Sequence, residues 1–414
     1  MTTQPAPGGQ TEIREFAVDD DLAALGDLAR RAFGPGPGPT PREPLPDHER
    51  HRTEAAIREH RVYGAFEGRR VLASASYQDM RQWWHGRSAP MAGVAAVMVA
   101  PEYRGRGVGR ALMAALLGAI AGHGYPLATL YPATMPIYRS LGWELAGGQH
   151  SAAIPGRSLR AFAPAELPGG TTQISLGAAD LRRAGPDDAD EVVAVVGRAH
   201  ELARDCGPIT RDPRVVARWL DDPDLYAYLA DDGFLAYRWQ NGNDEIHVDR
   251  AVAASAETTR AIWSVVASHT SVAETVRAQV GPADPFWWLA RERDAKLHRR
   301  SMWMLRVVDA PAAIAARGFP PSVELTVPLF IEDAARGGNS GLWELTVTGG
   351  KGTLAPGRAA AAPLALGARG LAALYAGTPV ASLRLAGLAA GGTPETDAAL
   401  DGAFAASAFM LDSF

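Results

Sequence analysis

The stretch of sequence that decides the fold reads Val97-Met98-Val99-Ala100-Pro101-Glu102-Tyr103-Arg104-Gly105-Arg106-Gly107-Val108-Gly109-Arg110-Ala111-Leu112. An apolar strand runs into a turn rich in arginine and glycine, and the turn opens a helix with apolar Leu112, Leu116 and Ile120 on one face. The start of a helix has unpaired backbone N–H groups and a positive dipole end, so it can hold a pyrophosphate. Glycines let the backbone approach the phosphates, and Arg104 and Arg106 add positive charge. The stretch therefore predicts a site for a coenzyme that carries phosphate.

Two other interpretations of this turn are open. One is an ordinary helix-capping turn, and the other is a dinucleotide-binding turn, which follows the opening strand of a βαβ unit and precedes an acidic residue. Here Arg104-x-x-Gly107-x-Gly109 comes after several predicted strands, about ninety residues into the chain. This spacing favours coenzyme A over a dinucleotide.

Length and composition limit the class of protein. At about 150 residues per domain, a chain of 414 residues is expected to have two or three domains. The chain is 47% hydrophobic and 21% charged, with 44 glycines and 30 prolines, which excludes collagen and wholesale disorder. A net charge of −5 argues against a nucleic-acid partner. Cys206 is the single cysteine, which excludes an intrachain disulfide and any site with several cysteine ligands.

The apolar segments predict neither secretion nor a membrane span. Ala111–Ala121 is too short to cross a bilayer, and Met1–Gln10 lacks the basic start and apolar core of a secretory signal. We therefore expect a cytoplasmic protein. The ten histidines show no metal-ligand spacing, so no metal is expected.

Two stretches of the chain resemble each other. Residues 13–33 and 181–200 each contain a short strand, an acidic turn and a helical pattern. Hairpin patterns follow at Val62–Gly68 and Tyr226–Gly233. A duplicated α/β domain is the economical interpretation, although any two α/β units can begin in this way. Pro155–Gly177, rich in proline and glycine, is predicted to link the two copies.

A third segment follows the second copy. It is expected to open with the apolar strand Ser301–Val308 and to continue with an alanine-rich helix that ends at Gly318. The remaining strand patterns lie at 323–330 and 342–347, and the helical patterns lie at 368–376 and 398–408. The third segment is therefore predicted to be α+β.

The glycine-rich turn resembles the acetyl-CoA motif of the GNAT superfamily of N-acetyltransferases, Arg/Gln-x-x-Gly-x-Gly/Ala. The resemblance implies that the strand Val97–Val99 splays from its neighbour and binds the pantetheine through its main chain. It also implies acetyl-CoA as the co-substrate, bound by Val97, Met98, Val99, Arg104, Gly105, Arg106, Gly107, Val108, Gly109 and Arg110.

A tyrosine beyond the next predicted strand is the candidate general acid. Leu127–Leu130 forms that strand, and a short helix after it carries Tyr138. In acetyltransferases of this type, a tyrosine here protonates the departing thiolate, and a phenol with a pKa of about 10 suits a donor near neutral pH. The alternative is that Tyr138 is an amphipathic tyrosine of the core.

Over its whole length the chain resembles the enhanced intracellular survival (Eis) family of acetyltransferases. The resemblance rests on the acetyl-CoA turn, Ile137–Glu144, Asp232–Arg238 and Met302–Ala313. It implies a fold that is α/β and α+β, with two GNAT-like mixed-sheet domains and a sterol carrier protein-like domain. The expected boundaries are 1–155 for the catalytic domain, 156–300 for a degenerate copy and 301–414 for the third domain. It also implies a homohexamer.

The second copy lacks a coenzyme turn. After the strand near Ile246–Val248 the chain reads Ala251 to Arg260 without Arg-x-x-Gly-x-Gly, and Glu257 would repel phosphate. We expect this domain to bind no acetyl-CoA and to act as a scaffold and as a wall of the substrate cavity.

The C-terminus is too apolar for a free tail. Phe409, Met410, Leu411 and Phe414 predict that this end packs against the protein. The family resemblance implies that the carboxylate of Phe414 enters the first domain's active site as the general base. An α-carboxyl has a pKa of about 3.5, so desolvation must raise it or water must relay the proton. The alternative is that Phe414 only fills a groove.

The candidate acceptor-binding residues are spread along the chain. They are Phe33, Trp83, Trp84, Ala96 and Ser413. The two tryptophans lie in the hairpin before the coenzyme strand, where a surface or oligomer contact is an equal alternative. In the resembling family an aromatic residue stands at the position of Ala96 and an acid at that of Ser413, and another acid follows the first helix. Losing the two acids should weaken polycation binding, including that of the aminoglycosides that some members acetylate.

The sequence thus predicts an acetyl-CoA-dependent N-acetyltransferase that acts on primary amines, with a small-molecule amine as the expected partner and aminoglycoside-like, other amine or lysine acceptors all open. No serine or cysteine nucleophile has a recognisable base, since Cys206 lies beside Asp205 alone, so direct transfer in a ternary complex is preferred. Two non-catalytic alternatives are a carrier of hydrophobic ligands and a sensor of acyl-CoA.

Overall fold

The computed structural model describes residues 11–17, 20, 22–34, 47–159, 162, 180–290, 294–358 and 362–414. The predicted N-terminal tail and most of the predicted linker Pro155–Gly177 lie outside these residues.

The first domain alternates strands and helices. Its elements are β1 Glu12–Glu15, α1 Leu22–Phe33, α2 Asp47–Arg58, β2 Val62–Glu67, β3 Arg70–Trp84, β4 Arg87–Val99, α3 Val108–Gly122, β5 Leu127–Leu130, α4 Pro136–Arg139, β6 Glu144–Pro155 and α5 Gly156–Leu159. The second domain repeats the plan. Its elements are β7 Arg182–Arg183, α6 Ala189–Ala203, β8 Cys206–Arg211, α7 Pro213–Leu220, β9 Tyr226–Ala230, β10 Gly233–Gln240, β11 Glu245–Ala253, α8 Ala256–Ser268, β12 Thr275–Gln279 and α9 Phe286–Leu289.

The last third of the chain is α+β. Its elements are β13 Lys296–Val307, α10 Ala310–Ala316, β14 Leu325–Glu332, β15 Gly341–Thr348, β16 Lys351–Pro356, β17 Leu364–Gly367, α11 Ala368–Tyr375, α12 Val380–Leu385, β18 Ala389–Gly391, α13 Pro394–Phe404 and β19 Phe409–Met410. Helix starts follow local capping chemistry. For example, the Asp309 side chain accepts a hydrogen bond from the Ala312 N–H at the start of α10.

Within the described residues, fourteen strands form one sheet in the order β1-β2-β3-β4-β5-β13-β6-β12-β11-β10-β9-β7, with β19 beside β6 and β8 beside β3. Each GNAT-like copy contributes one parallel pair, β4 with β5 and β11 with β12, and each pair is joined by a helix, α3 or α8. The third domain has its own sheet, in the order β16-β15-β14-β17-β18. The predicted duplication is therefore present in the strand topology.

The strand predicted to open the third domain belongs to the first domain's part of the large sheet. β13 lies between β5 and β6 and runs antiparallel to both, with Leu305 opposite Thr129 on one side and Glu144 on the other. The physical reason is its apolar character, since Trp303 and Met304 face opposite sides and are both fully buried. The expected boundary at residue 300 thus falls inside a strand, and the third domain's sheet begins at β14.

Candidate active site

A fork between two parallel strands forms the centre of the first domain. β4 pairs with β5 only over Met91–Gly93, although β4 continues to Val99. A bulge accompanies the separation: Ala96 has a φ of 50°, and the register between β3 and β4 shifts next to it. The main chain of Val97–Val99 therefore lies beyond the last β4–β5 pair.

The glycine-rich turn beyond this fork leads directly into α3. Gly105 and Gly107 have φ values of 75° and 81°, a left-handed conformation that glycine adopts without strain. Gly107 caps α3 without any side-chain hydrogen bond, so a ligand can take the first amides of the helix. A Cβ atom on Gly109 would lie 3.0 Å from Val99 Cγ2 and 3.2 Å from Ile137 Cδ1, so this glycine lets α3 approach both β4 and α4.

Three exposed arginines surround the turn. Arg104 donates to the carbonyl oxygens of Val99 and Ala32 at 3.3 and 3.0 Å. The Arg106 guanidinium lies 5.3 Å from the centre of the Tyr103 ring, and Arg110 Nε donates to Ser140 Oγ at 3.3 Å. These side chains place positive charge beside the free helix amides, as phosphate binding requires.

The one carboxylate in the turn is neutralised. Glu102 forms ion pairs with Arg31 at 2.9 Å and with Arg70 at 2.8 Å. Neither arginine belongs to the motif, so the sequence carries no signal for this pairing.

Tyr138 lies on α4 and is 5% exposed. It packs in the core that α3 covers, and its ring meets Trp143 edge-on with centroids 6.5 Å apart. Burial raises the pKa of the Tyr138 phenol, so the phenol stays protonated at neutral pH.

The C-terminal residue lies where the fork opens. The Phe414 ring meets the Tyr131 ring edge-on at 5.5 Å, and Phe414 Cδ2 is 3.1 Å from the position a Cβ atom on Gly93 would take. Gly93 is the last β4 residue paired with β5. Phe414 packs against the core that contains Met91, whereas Tyr138 belongs to the core that contains Ala92. Because successive strand residues face opposite sides, Phe414 and Tyr138 approach the sheet from opposite faces.

The residues before Phe414 are held by both GNAT-like domains. The Tyr131 hydroxyl donates to the Asp412 carbonyl at 2.6 Å, and Gln149 Nε2 donates to Ser413 Oγ at 3.2 Å. From the second domain, Arg211 donates to the Ser413 carbonyl at 2.8 Å and Arg250 pairs with Asp412 at 2.5 Å. No motif in the sequence marks Tyr131, Arg211 or Arg250 as residues of the site. For Tyr131 alone there is a hint in the sequence, because this residue directly follows β5, one of the two strands of the fork.

A cavity of about 400 Å³ adjoins these residues on the second-domain side. Gln149 and Ser413 form part of its wall beside the tail, and Arg250 and Asp412 are also exposed to it. Most of the remaining lining is apolar and consists of Val192, Val193, Val196, Ile209, Val215, Val216, Trp219, Phe234 and Leu411; its polar members are Thr210, Arg211, His247, Asp249 and Gln279.

The predicted acceptor-binding residues do not form one group. Trp84 is fully buried and packs edge-on against Tyr375 at 5.0 Å, so the expectation that it lines an acceptor pocket is wrong. Trp83 and Trp84 are consecutive residues of β3, so their side chains point to opposite faces of the sheet. The third domain covers the face that carries Trp84, and this side chain is therefore buried. Trp83 packs on the second domain, where a Cβ on Gly197 would lie 3.3 Å from its ring. Phe33 is 63% exposed at the end of α1, and Ala96 is exposed at the bulge.

The second domain keeps the strand pair but not the phosphate site. Ser255 caps α8 by accepting the Thr258 N–H at 3.1 Å, and the Thr258 hydroxyl donates to Asp232. The helix start is thus partly satisfied by its own side chains, and Glu257 stands in its first turn.

Among the described residues no group of three or more histidine, cysteine, aspartate or glutamate side chains could hold a metal ion. No helix in the described part of the chain is long and apolar enough to cross a membrane.

Comparisons with protein families agree with the structure at the fork, at the glycine turn that begins α3 and in the third domain. Residues 12–146 and 207–307 each match an acetyltransferase (GNAT) domain, and residues 310–411 match a sterol carrier protein domain. The protein is therefore a GNAT acetyltransferase with the predicted three-domain fold class.

Relatives narrow this class. The chain is 31% identical to N-acetyltransferase Eis of Mycobacterium tuberculosis over 291 residues, which are 66% of this chain and 69% of the relative. A solved GCN5-related N-acetyltransferase from Kribbella flavida is 40% identical, with a TM-score of 0.88 over 98% of this chain and 99% of that one. Eis1 from Mycobacterium abscessus, at 23% identity and a TM-score of 0.73 over 98% of this chain and all of that one, shares the fold. The chain belongs to the Eis family of N-acetyltransferases, as predicted, and is an acyltransferase.

Proposed function

We propose that the protein transfers the acetyl group of acetyl-CoA to a primary amine of a small molecule, with Tyr138 as general acid and the Phe414 carboxylate as general base. The observation that carries the proposal is the position of the last residue of the chain. Phe414 packs on Gly93 where β4 and β5 separate, and Tyr138 lies in the core on the other face.

The residues of the turn fit acetyl-CoA. The uncapped amides at the start of α3 and the exposed side chains of Arg104, Arg106 and Arg110 would hold the phosphates. The main chain of Val97–Val99 would hold the pantetheine. Acetyl-CoA supplies the acetyl thioester, and the chain's own residues orient it and move protons.

Acetyl transfer removes one proton from the amine and adds one to the sulfur of coenzyme A. The neutral amine nitrogen forms a bond to the acetyl carbon as the carbon–sulfur bond breaks. The Phe414 carboxylate takes the proton that the amine loses, and Tyr138 gives its phenolic proton to the departing sulfur. The Val99 N–H polarises the acetyl carbonyl. The contacts of the Phe414 ring with Tyr131 and Gly93 hold the last residue at the fork.

The acceptor is an amine of moderate charge. The cavity beside Ser413 has a largely apolar lining, and its two carboxylates are already paired: Asp412 with Arg250, and Asp249 with Arg238. Little free negative charge is available for a polycation, so amines with an apolar body are better acceptors than aminoglycosides.

Release of free thiol from acetyl-CoA with a panel of amines tests the proposal. Turnover with at least one primary amine, abolished by Tyr138→Phe, would support it. A Tyr138→Phe variant with full turnover would remove this residue from the mechanism, and no turnover with any amine would overturn the activity. Assembly as a homohexamer, which the family suggests, is tested by light scattering of the purified chain.

A further inference from the structure

The second domain holds the last residues of the chain through a partly buried ion pair. Arg250 lies on β11 with its side chain 9% exposed, and its guanidinium is 2.5 Å from Asp412, whose side chain is 17% exposed. The terminal carboxylate belongs to Phe414, two positions after Asp412. An ion pair this far from solvent is weakly screened, and removing one partner leaves the other charge uncompensated.

The tail needs such a restraint. β19 pairs with β6 only at Phe409 and Met410, so regular strand pairing ends four residues before the chain does. Chain ends fray unless side chains secure them. A group that takes a proton in a transition state must stay within a fraction of an ångström of its place, since a shift of 1 Å can lower the rate about 100-fold.

Three glycines shape the path of the tail before it reaches Arg250. A Cβ atom on Gly147 would overlap the Ala408 carbonyl, and one on Gly207 would overlap the Phe409 carbonyl. One on Gly281 would lie 3.0 Å from the Phe409 ring. Two of these glycines belong to the second domain, so that domain is shaped to accept the tail.

We propose that Arg250 is a positioning residue for acetyl transfer, and that the second domain serves the reaction by fixing the C-terminal carboxylate at the first domain's fork. This inference rests on the proposed role of Phe414. It gives the degenerate domain a function in place of coenzyme binding, for which its capped α8 is unsuited.

The experiment compares Arg250→Met with Arg277→Met in the full-length chain. Arg277 is the matched control, because it forms a 2.6 Å pair with Glu245 on the neighbouring strands β12 and β11 and makes no contact with the tail among those described. One readout is kcat, with KM for acetyl-CoA measured alongside. The other is the rate at which carboxypeptidase releases Phe414 from the folded protein, which does not depend on activity.

Arg250→Met is expected to lower kcat about 100-fold, to leave KM for acetyl-CoA within about threefold, and to speed phenylalanine release at least tenfold. Arg277→Met should change none of these, and Arg250→Lys should recover most of kcat. If Arg250→Met does not fold, Asp412→Asn carries the same test. Unchanged phenylalanine release overturns the positioning role. If Arg250→Met releases phenylalanine faster but keeps full kcat, Arg250 does hold the tail, and the result instead refutes the Phe414 carboxylate as the general base.

Discussion

One glycine added after Phe414 isolates the role of the terminal carboxylate. The addition turns that carboxylate into a neutral peptide group and moves the negative charge outward by one residue, about 3.5 Å. The Phe414 ring cannot retreat to compensate, because it lies against Gly93 and Tyr131, and the Ser413 carbonyl is fixed by Arg211. The new carboxylate therefore misses the place of the old one.

A general base contributes roughly 100- to 10,000-fold to a rate, so we expect kcat to fall at least 100-fold. KM for acetyl-CoA should change less than threefold, because the coenzyme turn at Arg104–Arg110 begins α3 and does not contact the tail in the described contacts. Thiol release measured over a range of acetyl-CoA concentrations, at saturating amine, gives both constants.

Phe414→Ala is the matched control for the extension. It keeps a terminal carboxylate but loses the ring contacts, so its kcat should fall less than that of the extended chain. A kcat for the extended chain within threefold of the parent would refute the reasoning, and Phe414 would then be a residue that only fills a groove.

Three further outcomes test other parts of the site and fold. Tyr138→Phe should lower kcat at least 100-fold with little change in KM for acetyl-CoA, and an equal rise in KM would point to a binding role. Changing Arg104 and Arg106 together to alanine should raise that KM about tenfold or more, with kcat retained, in steady-state assays at low salt. Asp284→Asn should stabilise the fold: burial raises the pKa of Asp284 from 3.8 to about 6, so the folded state binds the proton more tightly, and the charged form costs up to about 3 kcal/mol above pH 6. Denaturation midpoints should show the gain at pH 8 and a smaller one near pH 5, and equal gains would contradict it.

The duplication and the coenzyme turn could be predicted because their signals are local. Strand, glycine turn and helix follow one another within Val97–Leu112, and the loss of the same pattern near Ala251–Arg260 is equally local. Two helices of the third domain were located for the same reason: α11 at Ala368–Tyr375 matches its alanine-rich pattern, and α13 begins and ends four residues before its predicted bounds, whereas α12 was not predicted.

The neighbours of β13 could not be predicted from its own residues. Its apolar run indicates a strand buried on both faces, but the identity of the strands beside it depends on pairing with residues more than 140 positions earlier. Arg250 shows the same limit, since its partner Asp412 is 162 residues away and neither residue belongs to a motif. The prediction for Trp84 was wrong because a pair of aromatic residues in a hairpin does not show which face of the strand another domain covers.

The insertion of β13 between β5 and β6 affects the order in which the chain can fold as it is synthesised. Until residue 307 leaves the ribosome, the first domain carries two unpaired strand edges in the middle of its sheet. Such edges invite pairing with other nascent chains, and closing them requires contacts between residues far apart in sequence, which form slowly. Sequence similarity thus marks the first domain as one unit, but its sheet is complete only when β13 is present. A fragment that ends at residue 155 would lack this strand, which joins the two halves of the domain.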